Sequence, residues 1–362
     1  MNVVRRVGAG LALGALALAT LATPAAAAQR PLAMNINLSL GCVSGSAVSH
    51  SLIKVTIRAR DNSLKDKDVL TAGGNGSWLS CPNIVNEPIV SGDRIKVVDV
   101  DTNEQLSYRV PLLTINVDRS TDVVSGKAPA GDAVELEATD NTGPLFGRPP
   151  FDVVSHVSAR PDGTYSYDFN KRGADLIAGT ALKVHTTTMG GRIHVHRIMT
   201  VPGIFIYIGE STFQGYTQPY NGVHMTLTKG GNTVATGNGV GSDFLFSGMF
   251  TGRFADANNE PYRVKGGEWF SAPSLGPDES WQIPAIKPNI NLATDVVSGT
   301  CFANGPWLVE TQSGAFDYGM TSGSGAFSTD LSSQGGIASG DELIIGCLTS
   351  GGDAVLQDMF LH

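Results

Sequence analysis

The chain contains little charge and no long apolar run beyond its first residues. Only 16% of its 362 residues are charged, and the formal net charge is −8. Lysine and arginine form no cluster, so a nucleic-acid or anionic-membrane partner is not expected. No second apolar stretch is long enough to span a membrane. We therefore expect a chain without a transmembrane segment after its N-terminal leader.

Short motifs of the common enzyme classes are also missing. The chain has no G-x-S-x-G nucleophile turn, no H-E-x-x-H zinc motif and no glycine loop that would cradle a phosphate. Its acidic residues are scattered and form no obvious catalytic pair. We therefore expect a protein that is not an enzyme and name no catalytic residue.

The N-terminus has the features of a secretory signal peptide. Arg5 and Arg6 precede a short alanine-rich apolar stretch, and small residues lead to a cleavage position near Ala28. A membrane anchor is the alternative, but the stretch is short for that. We predict that residues 1–28 are removed and that the protein is secreted or held at the cell surface.

Cysteine is rare but informatively placed. Cys42 and Cys81 lie near the start of the chain, and Cys301 and Cys347 near its end. In an exported protein such cysteines are expected to form disulfides, and four of them allow three connectivities. We favour Cys42–Cys81 and Cys301–Cys347, because each pair would then lie within one module.

Glycine is abundant in the chain, with 44 residues, and several sequence phrases are repeated. The phrase "TDVVSG" begins at Thr121 and again at Thr294. An apolar run leads to a glycine in four places, namely Gly45, Gly126, Gly215 and Gly299. The intervals of 81, 89 and 84 residues suit small domains in a row. We predict four modules with boundaries at 29–112, 113–201, 202–287 and 288–362.

Short alternating segments predict an all-β fold. "LIKVTIRA", "AVELEAT" and "RIHVHRI" alternate apolar and polar residues with period two, and closely spaced turn signals separate such segments. Seven or so strands in about 85 residues indicate an antiparallel two-sheet sandwich in each module.

The second module resembles the bacterial immunoglobulin-like (Big-type) repeats of exported proteins. The resemblance lies in "VVSGKAPAGDAVELEATD", "PDGTYSYDF" and "LIAGTALKVHTT", with Pro129, Gly131, Asp162, Gly163 and Tyr165 in the family's turn and hairpin positions. It implies tandem immunoglobulin-like sandwiches but little about function, because such modules serve as stalks, adhesins and ligand binders. The third module departs most from the pattern.

A histidine-rich hairpin in the second module is a candidate metal site. In "LKVHTTTMGGRIHVHRI" a turn at Gly190 and Gly191 would pair Thr187 with His194 and His185 with His196. All three histidines would then share the face opposite Val184, Ile193 and Val195. Three imidazoles on adjoining strands can bind a divalent ion such as zinc or copper. The alternative is a polar strand face that meets only water.

Aromatic residues are concentrated in the third module, which holds 13 of the 26 in the chain. Tyr216, Tyr220 and Trp269 lie in polar, turn-like sequence and are candidates for stacking against a sugar or anchoring a protein. The alternative is a more aromatic core in that module.

Together these features predict a secreted or cell-surface protein with a structural, spacer or adhesive role. Its partner would be an extracellular protein or polysaccharide. The alternative is an extracellular ligand-binding protein that uses the third-module aromatics for glycans or the second-module histidines for a metal. No cofactor is expected apart from that ion.

Overall fold

The computed structural model describes residues 31–81, 88–140, 151–188, 190–218, 221–242, 248–276 and 279–361. The predicted signal peptide, 1–28, and the candidate Tyr220 lie outside the described residues. Within them the protein is all-β, as predicted, with 28 strands and only short 3-10 turns such as Phe169–Arg172. No helix of the described part has the length and apolar character needed to cross a membrane.

The strands form four consecutive units of seven. Unit 1 consists of β1 Ala33–Asn37, β2 Cys42–Ser46, β3 Leu52–Arg58, β4 Leu64–Thr71, β5 Ser77–Ser80, β6 Arg94–Asp99 and β7 Glu104–Arg109. Unit 2 consists of β8 Asn116–Asp118, β9 Val123–Lys127, β10 Ala133–Asp140, β11 Phe151–Ser158, β12 Thr164–Asp168, β13 Ala181–Thr188 and β14 Ile193–Thr200.

Unit 3 consists of β15 Gly203–Tyr207, β16 Thr212–Tyr216, β17 Gly222–Lys229, β18 Asn232–Val240, β19 Met249–Ala255, β20 Trp269–Ser271 and β21 Ser280–Gln282. Unit 4 consists of β22 Asn289–Asn291, β23 Val296–Thr300, β24 Pro306–Thr311, β25 Phe316–Met320, β26 Ala326–Asp330, β27 Glu342–Leu348 and β28 Ala354–Phe360.

Every unit has the same strand order. Its first, second and fifth strands form one layer, and its fourth, third, sixth and seventh strands form the other. In unit 3 the fourth and fifth strands, β18 and β19, also pair with each other. The alternation that predicts strands sets their burial, since in β10 every second residue from Val134 onward is buried. The predicted tandem β-sandwich architecture is confirmed.

The four repeated glycines lie where two strands and an aromatic ring approach closely. Gly45, Gly126, Gly215 and Gly299 each pair across the sheet with an aromatic residue of the fifth strand, namely Trp78, Tyr165, Phe250 and Phe327 respectively. A Cβ at Gly126 would lie 2.1 Å from the Thr114 carbonyl oxygen and 2.6 Å from the Tyr165 hydroxyl. Only glycine leaves room for the ring at this position.

The aspartate of the repeated phrase "TDVVSG" positions a loop. Asp122 and Asp295 both have a φ of 54°, in the left-handed region. The Asp122 carboxylate accepts a hydrogen bond from Leu176 N–H at 2.8 Å, and the Asp295 carboxylate accepts one from Ile337 N–H at 2.8 Å. The phrase therefore fixes the loop that precedes the sixth strand in units 2 and 4.

The units join in pairs through parallel strands, which was not predicted. β1 of unit 1 pairs with β14 of unit 2, and β15 of unit 3 pairs with β28 of unit 4. Each join makes one continuous sheet, of seven strands in the first pair and eleven in the second. We call units 1 and 2 the first half and units 3 and 4 the second half. Each half has one continuous hydrophobic core. Independent folding of the four predicted modules stays a prediction.

Candidate binding surfaces

The histidine hairpin has the predicted register. His185 lies opposite His196 and Thr187 opposite His194 in the β13–β14 pair. Gly190 and Gly191 both have positive φ, as the tight turn requires. Val184, Ile193 and Val195 are fully buried on the core side, so the three histidines share the outer face of the first-half sheet.

Each histidine ring already has a hydrogen-bond partner. His194 lies 3.0 Å from the Thr187 hydroxyl through Nδ1 and 3.0 Å from the Gly191 carbonyl through Nε2. His196 Nδ1 lies 2.8 Å from the side-chain oxygen of Asn35 in unit 1, so this ring bridges the two units. His185 Nδ1 lies 3.2 Å from the Glu135 carboxylate on β10. A carboxylate partner for the cluster therefore exists, although its position in the sequence gives no hint of it.

Burial is the main influence on the pKa of His185 and of His196. It lowers the pKa of His196 to about 4, and the nearby Lys183 ammonium acts in the same direction. Burial also lowers the pKa of His185, against the opposing effect of the Glu135 carboxylate. Both rings are therefore neutral at pH 7, the form that binds metal ions.

The geometry does not add to the case for a metal. Among the described residues, no three histidine, cysteine, aspartate or glutamate side chains are grouped so that they could hold one ion. An ion at the hairpin would have to displace a hydrogen bond of His194, because both nitrogens of that ring are engaged, with Thr187 and with Gly191. Metal binding by His185, His194 and His196 stays a prediction.

The candidate aromatics of unit 3 are not brought together. Tyr216 on β16 packs edge-on against Phe205, with ring centroids 6.0 Å apart, and burial raises its pKa. Trp269 on β20 is 50% exposed, but four strand-to-strand steps separate β20 from β16 in the sheet. Tyr220 lies outside the described residues. Glycan binding by these aromatics stays a prediction, and the two described ones would act separately.

Both favoured disulfides are present. Cys42 joins Cys81 with Cα atoms 4.3 Å apart, and Cys301 joins Cys347 with Cα atoms 5.2 Å apart. The first ties β2 to the end of β5 within one layer of unit 1. The second ties the end of β23 to β27 and so links the two layers of unit 4. Cys301 and Cys347 are both buried, whereas Cys81 is exposed.

A cavity of about 840 Å³ lies at the junction of the two halves and is lined by residues of units 2, 3 and 4. Arg119, in the turn after β8, donates hydrogen bonds to the Pro202 carbonyl at 2.9 Å and the Gly351 carbonyl at 3.0 Å. Its guanidinium also forms ion pairs with the buried carboxylates of Glu279 and Asp353. One arginine thus links the first half to both units of the second. No sequence motif marks Arg119, because its partners are up to 234 residues away.

The outer face of the second-half sheet is apolar, in contrast to the histidine-bearing face of the first. Tyr207, Leu356, Leu308 and Tyr318 follow one another across β15, β28, β24 and β25, with Gly346 of β27 filling the remaining place. We call this row and its neighbours the apolar outer face. Ile177, from the loop before β13, packs onto it beside Phe205, Leu308 and Leu348. The first half therefore covers one end of this face.

Acidic side chains border the apolar outer face at the other end of its strands. Asp358 on β28 lies next to Glu342 on β27, and burial together with that carboxylate raises the pKa of Asp358 to about 6. Burial also raises the pKa of Glu310 on β24. These carboxyls are therefore harder to ionise than ordinary surface acids.

Comparison with known proteins identifies no family for the chain. No family model matches it, so membership of the Big-type repeats is not shown, and no curated protein matches it either. Solved structures do align over most of the chain. A tetra-tandem repeat from the extending region of a large adhesion protein is 14% identical and covers 90% of this chain and 97% of its own, with a TM-score of 0.17.

Two further structures align to a similar extent. A Ca²⁺-stabilised adhesin with which an Antarctic bacterium binds ice is 13% identical over 92% of this chain and 99% of its own, with a TM-score of 0.15. The BSP domain of a biofilm-associated protein is 8% identical over 89% and 94%, with a TM-score of 0.19. Scores this low carry no argument about this chain.

Proposed function

We propose that the chain is an exported, non-enzymatic protein of the cell exterior that acts as a structural and adhesive element. The observation that carries the proposal is the parallel strand pairing, which joins the four sandwiches in two pairs, each through one continuous sheet. A sheet that runs through two units resists bending at their join, because bending would break a row of backbone hydrogen bonds. Such stiffness suits a protein that transmits force or holds a binding surface away from the cell.

The junction between the halves supports the same role. Arg119 holds two backbone carbonyls and two buried carboxylates of the second half, and Ile177 is buried against the apolar outer face. A buried ion pair with these additional hydrogen bonds has one well-defined geometry. The two halves are thereby fixed to each other as well as within themselves.

The two disulfides support a location outside the cytoplasm. Such bonds persist in oxidising compartments and are rare where thiols are kept reduced. Together with the predicted leader at 1–28, they favour secretion or display at the cell surface. An extracellular protein or polysaccharide is the proposed partner class.

Deletion of the gene in the source organism tests the proposal. We expect intact wild-type cells to be labelled by an antibody against the chain, and the deletion strain to attach less well to surfaces or to other cells. Restoring the full chain should restore attachment, whereas a matched version without residues 1–28 should not, because it would stay inside. Detection of the wild-type chain only in the cytosol, with reduced cysteines, would contradict the proposal.

A further inference from the structure

The last strand of the eleven-stranded sheet, β25, has an open edge. It pairs with β24 and with no other strand of the described chain. The Thr321 N–H bonds to the Gly305 carbonyl and the Thr311 N–H to the Ala315 carbonyl, so odd-numbered residues of this segment face β24. In an antiparallel pair the alternate residues point their backbone groups the other way. Tyr318 and Met320 therefore direct their N–H and C=O groups outward, while the N–H of Phe316 bonds to the Gln334 side chain at 3.1 Å.

The edge at β25 lacks the charges that protect equivalent edges elsewhere in the molecule. Exposed edge strands are commonly guarded by charged side chains, which discourage pairing with another chain. β4, the same strand of unit 1, contains the run "KDKD", and β11 of unit 2 exposes Asp152 and His156. The only charge in β25 is Asp317, which turns inward and accepts a hydrogen bond from the Thr329 hydroxyl.

The side chains beside the open edge are apolar and exposed. Tyr318 is 51% exposed and Met320 is 63% exposed, and both lie on the apolar outer face. That face continues across Leu308 to Leu356, and the first half already uses part of it, because Ile177 belongs to one cluster with Leu308 and Leu348. The surface at β25 is thus the uncovered continuation of an interface that the molecule itself builds.

We propose that β25 pairs antiparallel with β25 of a second copy of this chain, about a twofold axis through Tyr318. In this register Tyr318 lies opposite its own copy and Phe316 opposite Met320, so aromatic rings meet each other and a thioether. The Phe316 N–H then exchanges its bond to the exposed Gln334 side chain for one to the Met320 carbonyl of the second copy. Asp317 lies opposite Gly319, so the two acids do not face each other. The pairing joins two eleven-stranded sheets and extends one apolar outer face across both copies.

The symmetry of the strand favours a second copy over a foreign strand. A twofold interface must be complementary to itself, and "FDYGM" satisfies this requirement about its central residue. The chain as a whole is acidic, with a net charge of −8, so two copies repel each other least where exposed charge is absent. β25 provides such a place.

Sedimentation equilibrium of the chain from Gln29 onward tests the proposal. We expect a monomer–dimer equilibrium with a Kd on the order of micromolar, because one short strand pair forms a small interface. Tyr318→Lys and Met320→Lys should each weaken association at least tenfold. The matched control is Val154→Lys, which places the same charge on the outer face of edge strand β11, where Val154 is 46% exposed; it should leave association unchanged. Unchanged unfolding curves would show that all three variants are folded.

Cross-linking fixes the register. Tyr318→Cys should give a covalent dimer on mild oxidation, because residues of a hydrogen-bonded antiparallel pair have Cα atoms about 5.5 Å apart, which a disulfide can span. Asp317→Cys should not, because that side chain points into unit 4. A chain that stays monomeric up to about 200 μM, well above the expected Kd, would overturn the proposal. So would a dimer that Tyr318→Lys leaves intact, or a monomer that loses binding to another extracellular protein through that substitution. None of these results depends on the proposed adhesive role.

Discussion

The two halves are built alike but present opposite surfaces. Each joins two seven-strand units through a parallel pair, and each encloses one core. The outer face of the first half carries imidazoles and carboxylates, among them His185, His196 and Glu135, whereas that of the second carries Tyr207, Leu308 and Tyr318. The repeated sequence therefore specifies the core and the turns. The side chains on the outer faces of the strands are free to differ, and the proposed functions depend on these side chains.

Removal of the disulfides should have the largest effect and should differ between the halves. The bonds close segments of 39 and 46 residues, so the chain-entropy contribution is about 4 kcal/mol for each. Replacing Cys301 and Cys347 by alanine should cost about 1 kcal/mol more than replacing Cys42 and Cys81, because both sulfurs leave a void in the core. Urea unfolding of the two double variants measures the difference.

The difference in burial between the two disulfides also predicts the order in which they are reduced. Cys81 is exposed, so a mild thiol reductant should open Cys42–Cys81 first. Mass spectrometry of alkylated peptides at successive times follows both bonds. Equal rates would show that the burial of Cys301 and Cys347 does not protect them.

The repeated glycines should tolerate alanine unequally. Gly126→Ala places a Cβ 2.1 Å from a backbone oxygen, whereas Gly299→Ala meets the Phe327 ring at 2.9 Å and the Lys287 carbonyl at 3.3 Å. We expect losses in the free energy of unfolding of about 3 and about 1 kcal/mol respectively. Gly314→Ser, at a turn of positive φ with open space around it, is a control for backbone strain alone. If Gly299→Ala costs as much as Gly126→Ala, the close approach is not what requires the glycine.

Acid should affect the two halves in opposite directions. Burial lowers the pKa of His196 to about 4, from about 6.5 in the unfolded chain, so only the unfolded chain gains a proton between these values. The stability that this site contributes is complete above pH 6.5 and is lost as the pH falls towards 4, by about 3 kcal/mol. The pKa of Asp358 is raised to about 6, so its contribution is complete below about pH 4 and is lost as the pH rises to 6, by about 1 kcal/mol after solvent screening.

Unfolding by urea at several pH values between 4 and 7.5 separates the two effects. His196→Asn should reduce the loss in the free energy of unfolding between pH 6.5 and 4. Asp358→Asn should remove the loss between pH 4 and 6 and so stabilise the protein near pH 6. His156→Asn, on the exposed edge strand β11, is the control. If His196→Asn steepens the loss of stability at low pH, the sign assigned to this buried ring is wrong.

Much of this comparison could be predicted from sequence wherever the interacting residues are close in the chain. The β13–β14 register follows from period two and the glycine pair at 190 and 191, and the strand count follows from alternation and turn spacing. The parallel joins could not be predicted, because β1 and β14 are ordinary alternating strands and nothing in either specifies a partner about 160 residues away. Phe250 as the ring over Gly215 could not be predicted either, because the third module departs most from the repeated pattern.

The smallest expected effect is that of zinc on the first half. Any ion that binds His194 must compete with its bond to Thr187 or to Gly191, so the net stabilisation by zinc is small. If the three histidines bind zinc, calorimetric titration at neutral pH should give a heat signal that His196→Ala removes and His156→Ala leaves. An affinity no better than millimolar, or equal effects of the two substitutions, would show that the three histidines only contact water and bind no metal.

Arg119 at the junction also indicates when the two halves become fixed to each other during folding. Its acceptors at Pro202 and Gly351 follow it by 83 and 232 residues, and Asp353 follows by 234. Contacts so distant in sequence form late, because the ends of a long segment must first be brought together. The link from Arg119 to unit 4 can therefore form only after Gly351 and Asp353, which directly precede the last strand β28, have been made.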